Sequence, residues 1–158
     1  MTGASHLAAW LIIGHLTGDY VTAISCSILV DADHLLPIIK HGLLFKPKKI
    51  WHVMTDPGDI VADGKVEDNR NYFHSIFTLI LLSGIVLLIN RHVWIVFAIA
   101  YAAHLSFDML DKSNVYPFYP IKSVNVKWRI WYCSKQEFIF AGVLYLVRIS
   151  LVLISGKI

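Results

Sequence analysis

The sequence predicts an all-α integral membrane protein that forms a single domain over residues 1–158. Hydrophobic residues make up 56% of the chain and the mean hydropathy is +0.60, well above the values of a typical soluble domain. Several apolar runs approach the ~20 residues that a helix needs to cross a bilayer. The net charge is only +3, and the basic residues lie in loops between apolar runs, so the sequence indicates no nucleic-acid partner.

The first apolar run, residues 7–30, has two interpretations. It is interrupted by His15 and then by Thr17, Gly18 and Asp19. It could form a single spanning helix with buried polar groups, or a hairpin of two short helices over about residues 5–30. Each arm of a hairpin would be about 17 Å long, too short to cross a hydrocarbon core of ~30 Å. Such arms would have to be covered by other parts of the protein.

Three further apolar helices are predicted at about residues 72–90, 93–110 and 137–154. They leave two long loops, which carry six and five Lys or Arg residues over residues 31–72 and 111–137. The opposite side of the membrane has only Arg91 and Lys157. By the positive-inside rule, both long loops face the cytoplasm of a multi-pass inner or plasma membrane protein.

The helix at 93–110 carries His104 and Asp108, whose spacing puts them on one helical face. Ionisable groups are costly inside a membrane, so this pair indicates a functional site, with a structural His–Asp pair as the alternative. The predicted topology brings other polar residues from the ends of apolar segments to the same membrane face. These residues are His6, Asp31, Asp33, His34 and His74. Imidazoles with carboxylates suit zinc, manganese or iron, and neighbouring carboxylates repel one another unless cations are bound.

Four short motifs, in chain order, resemble those of the YdjM-like membrane-bound metal-dependent hydrolases. They are Ser5-His6-Leu7, Asp31-Ala32-Asp33-His34, Arg70 with His74-Ser75, and the segment from His104 to Asp108 with Tyr116-Pro117-Phe118 after it. Two positions depart from the family's H-R-G-x-T-H motif, because Asn69 and Asn71 stand in place of its first histidine and its glycine. Proline also does not follow His34 directly, as it does in the family's D-I-D-H-P motif.

The resemblance implies a distant similarity to the all-helical zinc-dependent phospholipase C and P1 nuclease group. On that likeness, His104 and Asp108 are paired ligands on one helix and His74 binds an adjacent ion. An aspartate of the Asp31/Asp33 pair bridges the ions. His6 completes another ion's shell, and Glu137 at the start of the last helix is a weaker candidate ligand. We therefore expect one to three divalent ions, zinc first, with manganese or iron as alternatives.

The resemblance also favours the hairpin over the single helix. His6 and Asp31 would be about 37 Å apart in one straight helix, because a helix rises about 1.5 Å per residue. They could not then share a site. In a hairpin the two residues return to the same membrane face.

The predicted function is a membrane-bound hydrolase that cleaves a phosphoester of a membrane lipid or lipid-like substrate with metal-activated water. Asp31 and Asp33 are the candidate catalytic carboxylates, and Arg70 or Arg129 would hold the phosphate oxygens. One alternative is a non-catalytic membrane protein with a structural metal, which Asn69 favours. Another is a haem-binding or ion-binding membrane protein. No feature of the sequence indicates an oligomeric state.

Overall fold

The protein is represented by a computed structural model that describes residues 3–34, 38–39, 42–49, 72–110, 114–126, 128, 130 and 134–156. Five α-helices are defined end to end in this part of the chain. They are α1 (Gly3–Thr17), α2 (Tyr20–Val30), α3 (Ile76–Ile89), α4 (Arg91–Met109) and α5 (Lys135–Ser155). A 3₁₀ turn, Asp31–His34, follows α2 directly. The predicted residues Arg70 and Arg129, and most of the first long loop, lie outside the described residues.

The first apolar run folds back on itself at Gly18 and Asp19. Gly18 has φ = 76°, a left-handed conformation that glycine adopts without a steric cost. The Asp19 carboxylate then caps α2 by accepting from the backbone N–H of Thr22 at 2.9 Å and from its hydroxyl at 2.6 Å. The two helices pack closely, and a Cβ atom on Gly14 would lie 2.9 Å from the Cα of Tyr20. The run is therefore a helical hairpin rather than one spanning helix.

Capping side chains set where the later helices begin. Ser75 caps α3, so this helix starts four residues after the predicted boundary at 72. Asn90 accepts from the backbone N–H groups of His92 and Val93, and α4 therefore starts at 91 instead of 93. Ser134 accepts from the N–H of Glu137, which starts α5 at 135 instead of 137. Each cap supplies an acceptor to N–H groups that have no partner within the helix.

Helix α4 lies at the centre of the helix packing. It contacts α1, α2 and α3, while α5 packs against α1. The shared core is made of apolar side chains from α1, α2 and α4, namely Ala9, Trp10, Ile13, Ala23, Cys26, Val30, Val96, Phe97, Ala100, Tyr101 and Leu105. The short arms of the hairpin are thus covered by α4 and α5, as helices too short to cross a membrane require.

Two of the described helices, α4 and α5, are long and apolar enough to cross a membrane, and α3 is a shorter apolar helix. Many large apolar side chains on α3 and α5 are exposed on the surface of the chain, including Ile80, Leu88, Leu146 and Leu153. Exposed large apolar side chains in this number are unusual for a soluble monomer and suit contact with lipid.

The helix directions bring five helix ends to one side of the domain. Helices α2 and α4 end there, and α1, α3 and α5 begin there. At the opposite end, the guanidinium of Arg148 donates to the Tyr20 hydroxyl at 2.8 Å. Segment 114–126 packs on the start of α3, where the carbonyl of Pro117 accepts from the N–H of Ile76 at 2.7 Å. This shared end, called the polar end below, holds the candidate site.

Candidate metal centre

Three imidazole rings from separate parts of the chain meet the carboxylate of Asp108 near the end of α4. Nε2 of His6, on α1, lies 3.2 Å from Oδ1 of Asp108. Nε2 of His74, just before α3, and Nε2 of His104, on α4, each lie 3.1 Å from Oδ2. All four side chains are buried. The sequence predicted that these residues lie near one membrane face, and in the structure they are in direct contact.

Asp31 brings a second carboxylate to the same point. Its Oδ1 lies 3.3 Å from Nε2 of His104 and 3.9 Å from Nε2 of His74. The Asp31 side chain is 40% exposed, so this carboxylate lies at the edge of the buried cluster. Burial alone would raise the pKa of this carboxyl, but the nearby imidazole of His104 lowers the pKa below its ordinary value. Asp31 is therefore ionised at neutral pH.

Two groups of three residues have the spacing of metal ligands. One is His6, His104 and Asp108, and the other is Asp31, His74 and His104; within each, one ligand atom per residue lies within 4.8 Å of the others. Ligands of a tetrahedral zinc ion bound at ~2.0–2.1 Å lie about 3.3–3.4 Å apart. The N–O separations of 3.1 to 3.9 Å in the cluster are close to this value.

Asp33 fixes the orientation of the His74 ring. Its Oδ2 accepts from the backbone N–H of Phe73 at 2.6 Å and lies 3.3 Å from Nδ1 of His74. The carboxylate at this position can accept a hydrogen bond from a protonated Nδ1. A neutral ring then has its lone pair on Nε2, the nitrogen that approaches Asp108. A carboxylate on the outer nitrogen of a histidine is the usual support of a metal-binding imidazole.

Ser27 holds His104 in a similar way, with its hydroxyl 3.0 Å from Nδ1. The other nitrogen, Nε2, lies between Asp108 and Asp31, but neither contact has the geometry of a hydrogen bond. The ring is also stacked on His6, with centroids 4.1 Å apart, and on Trp10. A fixed, buried ring with its open nitrogen between two carboxylates is suited to bind a cation.

The remaining predicted site residues belong to neither ligand group or lie outside the described residues. Asp33 stands behind His74 and belongs to neither ligand group. His34 is half-exposed at the rim, with Nε2 3.7 Å from Oδ1 of Asp31. Glu137 is buried in the first turn of α5 and belongs to neither ligand group. Arg70 and Arg129 lie outside the described part of the chain.

Three supporting residues were not predicted from the sequence. Ser27 holds His104, Trp10 stacks on His6, and the hydroxyl of Tyr101 donates to the carbonyl of Phe73. Each stands one or two helical turns from a predicted ligand: Ser27 before Asp31, Trp10 after His6, and Tyr101 before Asp108. A polar or aromatic side chain at i ± 4 or i ± 7 from a candidate ligand is the signal that would have identified them.

Fold and site together define a class of protein: a helical, membrane-embedded domain with a buried histidine–aspartate centre that could hold a divalent ion. The sequence model of the YdjM inner membrane protein family matches residues 1–157, and the chain belongs to this family. Comparison with curated proteins and with solved structures finds no significant match. The distant similarity to the phospholipase C and P1 nuclease group stays a prediction.

Proposed function

We propose that this inner membrane protein is a metal-dependent hydrolase that cleaves a phosphoester of a membrane lipid. The observation that carries the proposal is the convergence of three imidazole nitrogens and two carboxylates at one largely buried point. Several ionisable groups are costly to bury together, and a divalent cation offsets both the repulsion and the lost solvation. A structural core without a ligand has no need of such a cluster.

The donor set supports zinc as the first candidate, with manganese and iron as alternatives, because imidazole and carboxylate ligands suit all three. His74, His104, Asp31 and Asp108 would hold one ion. His6 and the other oxygen of Asp108 offer a second position. Since Ser27 engages Nδ1 of His104, only Nε2 of that ring can ligate, and it can serve only one ion. The arrangement therefore favours one firmly held ion and a weaker second one.

A bound zinc ion would lower the pKa of a coordinated water to about 7 and neutralise charge on the phosphoryl group. The protein's own groups would do the rest. Asp31 is ionised and half-exposed, so the carboxylate oxygen that does not hold the ion could accept the proton of the attacking water. Asp33 acts through His74, which it orients, and is a positioning residue rather than a second base. Arg70 and Arg129 remain the candidate phosphate-binding groups.

Lipid substrates are proposed because the cluster lies at the polar end of a membrane-embedded bundle. We place this end at the cytoplasmic face of a multi-pass protein, since the two long loops carry most of the Lys and Arg residues. An enzyme for a soluble phosphoester would not need to hold its site among membrane helices.

A structural metal site is the second candidate function. Burial of His6, His74, His104 and Asp108 favours it, because structural zinc sites are closed, whereas catalytic sites keep an open position. Asn69, which stands where the family motif has a histidine, favours it too. Haem binding is not supported, because the His74 and His104 rings are 5.4 Å apart with a carboxylate at both Nε2 atoms, which leaves no space for a porphyrin.

Hydrolysis by the purified protein in detergent, with zinc, manganese and iron(II) each supplied in excess, tests the proposal. Phospholipids and lipid phosphates are the substrates. We expect turnover by the wild type and a loss of about 10²–10⁴-fold in kcat for Asp31→Asn, the range for a removed general base. His92→Gln, at the opposite end of the bundle, is the matched control and should retain full activity. No turnover by a folded wild type with any of the metals would support the structural role instead.

A further inference from the structure

We propose that an apolar groove beside the metal centre binds the hydrocarbon chain of the lipid substrate. The groove lies between the start of α3 and segment 114–126 and has a volume of about 510 Å³, within the ~300–1,000 Å³ of typical ligand pockets. It is lined by Tyr72, Phe73, Phe77, Thr78, Leu81, Tyr119 and Pro120. The link of this groove to hydrolysis rests on the proposed function, whereas lipid binding in it does not.

The wall of the groove is continuous with the metal centre through Phe73. The backbone N–H of Phe73 donates to Asp33, and its carbonyl accepts from the Tyr101 hydroxyl, so both of its backbone polar groups are held. The next residue is His74, whose ring reaches Asp108. A chain in the groove would therefore lie beside a rigidly held residue that directly precedes a candidate ligand.

The groove opens onto an exposed apolar stripe of α3. Phe77, Leu81, Ile85 and Leu88 follow one another at spacings of four, four and three residues, which puts them on one helical face. Their exposed fractions are 48%, 64%, 48% and 88%. Phe77 and Leu81 line the groove, and Ile85 and Leu88 continue the stripe toward the opposite end of α3. A hydrocarbon chain of the surrounding bilayer is thus the occupant that this surface fits.

The end of the groove away from this stripe is aromatic and basic. The rings of Tyr72 and Tyr119 meet edge to face with centroids 5.2 Å apart, and the ammonium of Lys122 lies 5.7 Å from the Tyr119 ring. Tyrosines at this position are typical of the membrane interface, and a lysine there attracts anionic headgroups. The lysine beside this tyrosine pair favours an anionic phospholipid, with its hydrocarbon chain along α3.

Photo-crosslinking tests the groove without relying on activity. The protein is reconstituted into vesicles of phosphatidylethanolamine and phosphatidylglycerol that contain a phospholipid with a diazirine in its acyl chain, and labelled residues are mapped by mass spectrometry. The exposed apolar face of α5 is an internal reference for bulk lipid. We expect labelling of residues 72–81 and 119–120 at several times the yield on α5. Leu81→Trp, which fills the groove, should lower it to the α5 level.

Leu88 lies on the same stripe beyond the groove. Leu88→Trp is therefore the matched control, and it should leave the labelling of the groove unchanged. Equal labelling of α3 and α5 in the wild type, or groove labelling unaffected by Leu81→Trp, would overturn the proposal.

Substrate chain length separates this proposal from the proposed function. With linear alkyl phosphates of two to eight carbons, we expect kcat/KM of the wild type to rise with each added methylene, by up to about fourfold, the factor for full removal of one methylene from water. Leu81→Trp should abolish the rise, whereas Leu88→Trp should retain it. Turnover that does not depend on chain length would contradict the groove while leaving the hydrolase intact. Absence of all turnover would contradict the hydrolase, and crosslinking would then decide the groove alone.

Discussion

At the residue scale, the centre depends on which ring nitrogens carry protons. Asp33 and Ser27 occupy Nδ1 of His74 and His104, and both rings direct Nε2 toward Asp108. With Nδ1 held by Asp33, a neutral His74 ring presents the lone pair of Nε2 on the side of Asp108. The supporting residues therefore orient the ring nitrogens of groups that could hold a metal ion.

Asp33→Asn tests this support directly. The amide removes the charge that holds Nδ1 of His74, and loss of such a partner lowers metal affinity by about 10–100-fold. Competition titration with a zinc chelator measures the change. His34→Asn is the matched control from the same 3₁₀ turn. We expect the metal affinity of this variant to stay within a few-fold of the wild type, because the His34 ring lies at the rim of the cluster. Equal effects of the two substitutions would show that Asp33 does not position a ligand.

The sequence identified the polar residues of the centre, but not the division of roles between Asp31 and Asp33. His104 and Asp108 follow from helical spacing, whereas the two aspartates look alike in the D-x-D-H motif. Their side chains take different roles because a 3₁₀ turn has about three residues per turn, so the side chains at positions i and i+2 point in different directions. Asp31 faces His104, and Asp33 faces the other nitrogen of His74. A short 3₁₀ turn leaves no periodic pattern from which this could be predicted.

At the element scale, the hairpin depends on the close approach of α1 and α2. A Cβ atom on Gly14 would lie 2.4 Å from the Tyr20 ring and 2.9 Å from its Cα. The ring could rotate, but the backbone atom could move only by separating the helices. Only glycine fits at this crossing, and the crossing is needed to return Asp31 to the end where α1 begins.

Gly14→Ala should therefore lower stability by about 1–3 kcal/mol, the usual cost of overpacking a close contact. Gly142→Ala, on α5, is the matched control, because nothing lies within 4 Å of its added Cβ. It should be neutral or stabilising by up to ~1 kcal/mol, since alanine favours helix over glycine. Unfolding temperatures in detergent measure both. A Gly14→Ala protein as stable as Gly142→Ala would contradict the close packing of the hairpin.

The residues of the first apolar run alone did not decide between a hairpin and a single helix. Gly18 and Asp19 marked the turn, but polar residues inside an apolar run are equally compatible with a buried site in one helix. The predicted helix starts differ from the observed ones by two to four residues, because a hydropathy pattern does not reveal which side chain caps a helix. Ser75, Asn90 and Ser134 supply the acceptors that determine the starts.

At the scale of the whole molecule, the helix directions gather the site at one end of the bundle. The centre takes residues from α1, from the turn after α2, from the residues before α3 and from α4. Such a site forms only when these segments are packed together. Apolar composition predicted the membrane class and the long helices, but the contacts across segments come from tertiary packing.

Labelling with a membrane-impermeant maleimide tests the proposed orientation. In a Cys133→Ser background, Arg91→Cys marks the turn between α3 and α4, and Lys122→Cys marks the segment at the polar end. Both side chains are exposed in the structure. We expect Arg91→Cys to be labelled in intact spheroplasts and Lys122→Cys only after permeabilisation. The reverse pattern would place the centre at the outer face of the inner membrane.

The central claim is that the buried cluster binds a divalent metal ion, and elemental analysis of the detergent-purified protein tests it most directly. We expect about one ion of zinc, manganese or iron per chain in the wild type. Asp108→Asn should lose the metal and stay folded, because the amide keeps the shape of the side chain that three imidazoles contact. His92→Gln should retain the full metal content. A correctly folded wild type that holds no transition metal, even after incubation with zinc, would contradict the account.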